Sequence, residues 1–514
     1  MKEKKENLQF IAITTILCYL LAHGYRIGNM MFSGDSLLMI YQNDYAWQIA
    51  LGRCFQPIWL FIRGTIASPW LISFLAIVWL ILSVYFLADI LNIKSRLLMI
   101  AVSMVMTINL TFTVANATFL PWVDFYSFAL FMAIFGVWLI EKKKILFYAT
   151  GSVLLALSLG TYQSYICVAV ALMMILVMQD LYKKRERKEI LGKIAGYFGS
   201  LMLAGVFYFA CWKIFQGIFH IWTADSYNGL AGMGDYTGVT IPELIALTYK
   251  NVFYYFWNPE VFISLYFRGI SLSVIWTAIL RILNIFVLFT IIISVIQINV
   301  KRKTNWWQRI LQGIILLLFS LGINAVCILS KGMEHSLMVY AFIFIYIFAV
   351  KLVEDMECNI RRKSAGIIAI VVALGMVSWV NAVYSNQVYM KKHLQETAAI
   401  SLMTRIVHDI EGTEGYVPGV TPVAFVGSFN ETLSMETDEA FKDLLPYGTS
   451  NTSMFYIGTD YALLMHMLNV NMNLIRLTGD EPELEDMPNY PMEGSVAYVG
   501  EVLVVKISDD PKYG

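Results

Sequence analysis

The sequence predicts a mainly α-helical membrane protein, a polytopic helical bundle followed by a small extracytoplasmic α/β domain. Three observations predict this fold class. Of the 514 residues, 58% are hydrophobic and 14% are charged, with a mean hydropathy of +0.64, whereas soluble domains are about 45–50% apolar and about 25% charged. Long apolar segments recur along residues 1–385. Residues 386–514 are instead acidic and more polar.

The apolar segments predict about eleven membrane-spanning helices. A helix needs about 20 predominantly apolar residues to cross the hydrocarbon core of a bilayer. The fifth predicted segment is shorter than this and the seventh is longer. The predicted spans cover residues 8–24, 69–92, 95–114, 121–140, 145–159, 164–182, 189–216, 276–299, 308–329, 336–353 and 364–385.

Clusters of positive charge predict the orientation of the chain in a cell membrane. If the chain crosses eleven times, all six clusters fall on the same side. Cytoplasmic loops carry an excess of Lys and Arg, so this side and the amino terminus are predicted to be cytoplasmic. Residues 386–514 are then extracytoplasmic. The clusters are Lys2–Lys5, Lys94–Arg96, Lys142–Lys144, Lys183–Lys188, Lys301–Lys303 and Arg361–Lys363.

Charge divides the chain into two predicted domains, 1–385 and 386–514. The first holds 30 basic and 18 acidic residues, and the second holds 7 basic and 19 acidic residues and no cysteine. The second domain therefore has no disulfide framework. Its sequence predicts helices near 391–411 and 459–468, an apolar run at 423–427 and short strands after residue 473, a pattern typical of a small α/β domain. We expect no cleavable signal peptide, because no small-residue cleavage site follows the first apolar segment.

Two of the predicted outward loops, 25–68 and 217–275, are long. The first is half apolar and carries isolated charges, which is unusual for a simple connector. The second contains Pro242, a residue suited to the first turn of a helix, and an aromatic run from Phe253 to Trp257. Segment 241–257 is therefore predicted to form a helix that lies on the outer membrane surface.

Three acids lie at the predicted outer face: Asp35 and Asp44 in the first loop, and Asp124 at the start of the fourth span. Acids at a membrane edge cost free energy and suggest function. Asp124 lies one turn inside an apolar segment, where solvation alone explains it poorly. Asp35 and Asp44 point to opposite sides of one continuous helix, so they share a pocket only if the chain breaks near Gln42-Asn43. A solvated loop acid is the alternative, above all for Asp44.

Five further side chains come to the same face from different loops: Arg53, Tyr162, Gln163, Glu334 and His335. The planar fork of Arg53 suits a phosphate, although this side chain could equally extend to lipid headgroups. Tyr162-Gln163 could be an ordinary polar turn, and Glu334-His335 an ordinary surface pair. Together with Asp44 they are candidate substrate-binding residues, and the whole set suits group transfer from a lipid-borne phosphate.

The sequence also argues against several other classes of protein. It contains no P-loop, no His-rich metal motif and no GxSxG motif, which argues against an ATP-driven pump. No nucleic acid partner is expected. The composition predicts the bilayer as a partner, and the residues at the outer face suit a lipid-linked substrate.

At these residues the chain resembles the GtrII family of membrane glucosyltransferases, which modify bacterial surface polysaccharide such as O antigen. The resemblance begins at Asp35, with Gly52-Arg53 seventeen residues later and Trp47 between them. The family often has paired acids at the first site, whereas Gly34 precedes Asp35 here, which leaves open whether Asp35 or Asp44 acts as the base. The other matching pieces are Phe119 with Asp124, Leu157 with Tyr162-Gln163, Glu334-His335 before Ser336–Met338, and Val423–Gly427.

The resemblance implies a GT-C type glycosyltransferase with its active site at the outer face. It implies a polyprenyl-phosphate-linked sugar as donor, a glycan as acceptor and an inverting mechanism. Asp35 would take the proton of the acceptor hydroxyl, and Arg53 and His335 would stabilise the leaving phosphate. Asp124, the second candidate catalytic residue, would orient a substrate or share a divalent cation (Mg or Mn) with Asp35.

Two alternative functions remain open from the sequence. A transporter or flippase of lipid-linked sugars predicts polar residues near the bilayer midplane and broken helices in both halves. A polymerase or ligase of surface glycans differs mainly in its acceptor. The gathering of polar residues at one face favours a transferase.

Overall fold

The computed structural model describes residues 2–29, 31, 35–41, 45–223, 238–257, 274–332, 334–356, 360–427, 459–477 and 481–509. Most of these residues are helical, and long apolar helices form a bundle. The carboxyl-terminal region contains a small sheet. The predicted fold class is confirmed to this extent.

The helices occupy every predicted span, because each long apolar run buries one face against its neighbours. In chain order they are α1 (Lys2–Gly28), α2 (Asp35–Leu38), α3 (Tyr45–Ala50), α4 (Gln56–Arg63), α5 (Pro69–Ile90), α6 (Arg96–Thr107), α7 (Leu110–Thr118), α8 (Val123–Ile140), α9 (Ile145–Thr161), α10 (Ile166–Tyr182), α11 (Arg187–Phe219), α12 (Ile241–Trp257), α13 (Val274–Arg302), α14 (Trp306–Ile323), α15 (Ala325–Leu329), α16 (Phe344–Asp355), α17 (Ile360–Glu411) and α18 (Thr459–Ala462).

Within the described residues, eight helices are long and apolar enough to cross a membrane, or nine if α6 and α7 form one bent span. Helix α9 has 17 residues and is shorter than such a span. The tenth predicted span consists of two short 3-10 turns followed by the 12-residue helix α16. The number eleven therefore stays a prediction.

Asn109 causes the bend of 42° between α6 and α7. Its side-chain oxygen accepts a hydrogen bond from the Phe112 N–H at 3.0 Å, as a helix N-cap does. Its amide nitrogen donates to the carbonyl oxygens of Val105 and Met106. One side chain therefore both closes α6 and opens α7.

The basic clusters lie together at one end of the bundle. The Ser95 N–H donates to the Glu354 carboxylate at 3.3 Å, and Lys363 donates to the Glu354 carbonyl oxygen at 2.7 Å. Lys143 pairs with Glu189 at 3.5 Å. The first two contacts join the second and sixth clusters, and the last joins the third and fourth. Arg302 of the fifth cluster donates to the Asp355 carbonyl oxygen at 3.3 Å, and Lys4 of the first pairs with Asp89 at 3.4 Å. We call this the basic end, and the end where α1 finishes and α8 begins the opposite end.

Helix α17 is continuous over 52 residues, so the predicted boundary at residue 385 falls inside a helix. The chain contains no Pro or Gly between Gly375 and Gly412 that would end the helix. A helix of this length spans about 78 Å, more than twice the roughly 30 Å of a hydrocarbon core. The segment predicted as a separate helix at 391–411 is therefore the continuation of the last apolar segment.

The carboxyl-terminal sheet has four strands in the order β2-β1-β4-β3. Strands β1 (Pro422–Val426) and β2 (Asn473–Leu474) are parallel, and β1 is also parallel to β4 (Val502–Lys506). Strand β3 (Val496–Val499) forms an antiparallel hairpin with β4. Helix α18 and a π-helical turn, Leu463–Met467, occupy the predicted helix near 459–468.

Candidate functional site

The first predicted outward loop folds into the three short helices α2, α3 and α4 at the opposite end of the bundle. Two side chains of the main helices hold this segment through its backbone. Trp212 of α11 donates to the Ile49 carbonyl oxygen at 2.7 Å, and Gln163 donates to the Leu51 carbonyl oxygen at 2.7 Å. Gln163 therefore fixes the loop that carries Arg53 and is not a simple turn residue.

Gly52 forms the turn that places Arg53. Its φ of +78° lies in the left-handed region that favours glycine. A Cβ at this position would collide with the Tyr208 hydroxyl and lie 2.8 Å from the Gln163 amide nitrogen. The position therefore requires glycine for conformational and for steric reasons.

We expect Gly52→Ala to destabilise the protein more than Gly500→Ala does. Gly500 also has a positive φ, +61°, but nothing lies within 4 Å of a Cβ there. Both variants carry the backbone cost of a side chain at positive φ, about 1–2 kcal/mol, whereas only Gly52→Ala adds a steric cost of about 1–3 kcal/mol. Melting temperatures of the purified variants in detergent measure the difference, and equal shifts would contradict the crowding at Gly52.

Arg53, Tyr162 and His335 come together at the opposite end. The Arg53 guanidinium lies 4.9 Å from the centroid of the Tyr162 ring. Its Nη1 donates to the Gln48 side chain at 3.3 Å. Its Nε is buried and has no hydrogen-bond partner among the described residues. A cation that stacks on an aromatic ring and has an unused N–H donor is suited to bind an anion.

His335 is a neutral ring within electrostatic reach of this cation. Burial and the positive charge of Arg53 lower the pKa of His335 to about 3. Its Nδ1 accepts a hydrogen bond from the Leu337 N–H at 2.9 Å, so the proton of the neutral ring is on Nε2. The ring also packs edge-on against Phe119, with 5.4 Å between centroids. His335 therefore contributes a neutral N–H donor next to a positive charge.

Glu334 has different partners from His335 and is fully buried. Its Oε2 accepts hydrogen bonds from Asn251 of α12 at 2.6 Å and from Asn324 at 3.2 Å. Burial raises the pKa of Glu334 to about 7, an effect that the donors Asn251, Asn324 and Cys327 partly oppose. Glu334 therefore ties α12 to the loop that carries His335.

The raised pKa of Glu334 predicts a pH-dependent stability. The unfolded chain releases this proton near a pH of 4.5, whereas the folded chain holds it up to about 7. Since the folded state binds more protons between these values, the free energy of unfolding falls as the pH rises through this window and then levels off. We expect Glu334→Gln to lack this fall and to be more stable than the wild type at about pH 8.

Melting curves of the purified protein between about pH 5 and pH 8 measure this effect. The matched control is Glu501→Gln, because Glu501 is exposed at the start of the β4 hairpin strand. The control is expected to follow the wild type at every pH. Parallel profiles of wild type and Glu334→Gln would contradict a buried, protonated Glu334.

Asp124 forms a fully buried ion pair with Arg63 of α4. The Asp124 Oδ1 lies 3.4 Å from the Arg63 Nη1, and both side chains are 0% exposed. Trp59 donates to Oδ2 at 2.8 Å, and Arg63 also donates to the Pro121 carbonyl oxygen at 3.0 Å. The carboxylate therefore clamps α4 against the start of α8.

The described residues do not fit a divalent cation at Asp124. Both carboxylate oxygens accept from N–H donors, and the Arg63 charge would repel a second cation. No group of three or more His, Cys, Asp or Glu side chains that could hold a metal ion occurs among the described residues. The geometry at Asp124 therefore supports a positioning role and not a ligand role.

Asp35 is the first residue of α2, and Asp44 lies outside the described residues. Helix α2 ends at Leu38, and the backbone after it is fixed by a bridge between Tyr41 and Ile66. The predicted break near Gln42-Asn43 also lies outside the described residues.

The sequence interpretation missed Arg63 and a second buried cation, Arg26. Arg26 is fully buried at the end of α1, where its Nε donates to the Asn116 carbonyl oxygen at 3.0 Å. His23, one turn earlier, is hydrogen-bonded to Tyr389 of α17 at 2.7 Å. The signal for Arg63 was available, since the buried acid Asp124 requires a cationic partner.

Comparison with known proteins identifies the family. The model of the family described as Glucosyl transferase GtrII matches residues 24–350, more than half of the chain. This segment contains every candidate site residue, whereas the resemblance noted at Val423–Gly427 lies beyond it. Neither curated proteins nor solved structures give a match. The chain belongs to the GtrII glucosyl transferase family.

Proposed function

We propose that this glucosyltransferase-family protein is an inverting enzyme that moves a sugar, a glucosyl group, from a polyprenyl-phosphate carrier to a cell-surface glycan. The observation that carries the proposal is the cluster of Arg53, Tyr162 and His335 at the end of the bundle away from the basic loops. A lipid carrier presents its phosphate at a membrane surface, which matches this position at the end of the apolar helices.

Arg53 and His335 suit a leaving phosphate. As the bond between the anomeric carbon and the phosphate oxygen breaks, negative charge grows on that oxygen. The Arg53 guanidinium supplies positive charge, and its buried Nε is free to donate. Neutral His335 supplies a second donor from Nε2 without the cost of burying another charge. Donors that are already fixed in place stabilise such charge most effectively.

Asp35 is our candidate for the general base. Its carboxylate would take the proton of the acceptor hydroxyl while that oxygen attacks the anomeric carbon from the face opposite the phosphate. The products are an inverted glycosidic bond, a protonated Asp35 and the polyprenyl phosphate. A phosphate leaves without protonation by a strong acid, so one essential carboxylate suffices. Asp44 is the alternative base.

Asp124 acts in this scheme as a positioning residue. Through Arg63 and Trp59 it fixes α4, which directly follows the Gly52-Arg53 turn. Tyr126 lies on α8 together with Asp124 and packs edge-on against Tyr162, with 4.7 Å between the ring centroids. The buried ion pair is thereby connected with the ring on which Arg53 stacks.

The orientation in the membrane is part of the proposal. The basic end matches the excess of Lys and Arg that cytoplasmic loops carry, so the Arg53 cluster would lie at the extracytoplasmic face. Position 35 would then react with a membrane-impermeant reagent from outside the cell when changed to cysteine in a variant that lacks the native cysteines. Labelling only after the membrane is opened would overturn this orientation.

The transporter alternative is weaker on one structural observation. It predicts broken helices in both halves of the chain. Among the described residues, one pair of helices is bent like a broken span: α6 with α7, in the first half of the chain. A polymerase or ligase would share the donor chemistry and differ in the acceptor.

The decisive experiment uses purified protein with a surface-glycan acceptor and three donors: polyprenyl-phosphate glucose, polyprenyl-diphosphate glucose and a nucleotide glucose. We expect glucosylated acceptor and an equal amount of free polyprenyl phosphate from the first donor alone. Transfer from the nucleotide sugar, or movement of the lipid across a bilayer without cleavage, would overturn the proposal.

A further inference from the structure

The carboxyl-terminal region contacts the helix that carries Asp35. Helix α18 packs against α2, and the turn that follows it packs against α17. The residues Ala462, Leu463 and Leu464 are buried and belong to the same hydrophobic core as the bundle helices. Burial of three consecutive apolar residues fixes α18 at this place. The region is therefore anchored directly over the segment that carries the candidate base.

Next to this anchor, Tyr461 remains exposed. Its side chain is 47% exposed, although Ala462 beside it is only 4% exposed. A second tyrosine, Tyr41, follows α2 in the chain and is 51% exposed, while its backbone is fixed by the bridge to Ile66. One exposed phenol ring therefore lies on the helix that packs against α2, and another lies three residues after α2 ends.

The chemistry of these rings suits a sugar. A pyranose carries C–H groups on its faces and hydroxyl groups around its edge. An aromatic ring packs against such a C–H face, and a phenol hydroxyl hydrogen-bonds to the edge. Tyrosine also presents a large, rigid contact area that loses little conformational entropy on binding. A neutral glycan needs no charged partner, and both rings supply apolar and hydrogen-bonding surface without charge.

We propose that Tyr461 and Tyr41 contact the acceptor glycan, and that α18 makes the carboxyl-terminal region a determinant of acceptor choice. This inference rests on the proposed function. Helix α18 lies outside the segment 24–350 that matches the family, whereas Tyr41 lies inside it, so one part of the acceptor surface comes from beyond the matched segment. The donor machinery and the acceptor surface meet at α2, where the acceptor hydroxyl must reach the base.

The test compares Tyr461→Ala with Tyr461→Phe and with the control Tyr498→Ala. Tyr498 is also exposed, at 40%, but it lies on β3, which pairs with β4 in the carboxyl-terminal sheet. With purified full-length protein and glucose on polyprenyl phosphate, we expect Tyr461→Ala and Tyr41→Ala each to raise the KM for the acceptor roughly tenfold. The KM for the donor and the kcat at saturating acceptor should change less than twofold. Tyr461→Phe should keep most of the affinity, because the ring remains.

Each outcome decides the proposal. An acceptor KM of Tyr461→Ala equal to that of Tyr498→Ala would overturn it, and so would a selective rise in the donor KM. Should Tyr461→Ala fail to fold, Tyr461→Leu keeps a large apolar side chain without a ring and is expected to show the same acceptor defect. If the wild type transfers no sugar from any carrier, the proposed function itself fails. If the wild type is active but Tyr461→Ala leaves the acceptor KM unchanged, only the acceptor proposal fails.

Discussion

Asp35→Asn is expected to reduce sugar transfer by about 10²–10⁴-fold, the usual contribution of a general base. The amide has nearly the same size as the carboxylate but cannot take the proton of the acceptor hydroxyl. Donor binding should be retained, because the phosphate is assigned to Arg53 and His335. The measurement is the initial rate of glycan transfer by purified variant and wild type at equal protein concentration, with melting temperature as the check on folding.

The matched control for this variant is Asp44→Asn. The sequence leaves both acids open as the base, and they lie nine residues apart in the same predicted outward loop. We expect Asp44→Asn to retain transfer within about tenfold of the wild type. A normal transfer rate for Asp35→Asn together with a large loss for Asp44→Asn would show that Asp44 is the base. Normal rates for both variants would show that neither acid of this loop is the base.

Arg63→Met is expected to destabilise the protein by about 3–5 kcal/mol, since it leaves a buried carboxylate without its cation. The Arg63 and Asp124 side chains are both 0% exposed, so water cannot take over the role of the missing partner. Methionine fills a similar volume and avoids a large cavity. The loss of stability is measured as the shift in unfolding of the purified protein in detergent.

The double variant Arg63→Met/Asp124→Asn provides the control for the charge pair. It removes both charges, and the Asn side chain can still accept from Trp59, which now contacts Oδ2 at 2.8 Å. We expect the double variant to be more stable than Arg63→Met alone. If the losses of stability of Arg63→Met and of Asp124→Asn simply add up in the double variant, the pair contributes no coupling energy.

The sequence predicts the helices of this fold well, because long apolar runs and the absence of breakers act locally. Helix α17 is longer than its apolar segment indicates. Its polar second half suggested a separate helix, yet no Pro or Gly occurs between Gly375 and Gly412, so the helix that begins at Ile360 continues to Glu411. The bend at Asn109 also has a local cause, a capping side chain, which the run of apolar residues around it concealed.

The sequence suggested candidate site residues but not their partners. Arg53 stacks on Tyr162, and its charge acts on His335, while the roles of these residues stay predictions. The pairing of Asp124 with Arg63 and of Glu334 with Asn251 joins segments that lie more than 60 residues apart. Such pairings depend on how the helices pack, which no local pattern encodes. A buried acid indicates that a cationic or hydrogen-bonding partner exists, although it does not identify the residue.

The most direct test of this account is an electron cryomicroscopy structure of the protein with polyprenyl phosphate bound. We predict that the phosphate lies within hydrogen-bond distance of the Arg53 guanidinium and the His335 Nε2, and that it does so at the end of the bundle away from the Lys and Arg clusters. A phosphate bound at the basic end, or one that contacts neither Arg53 nor His335, would contradict the proposed transfer site.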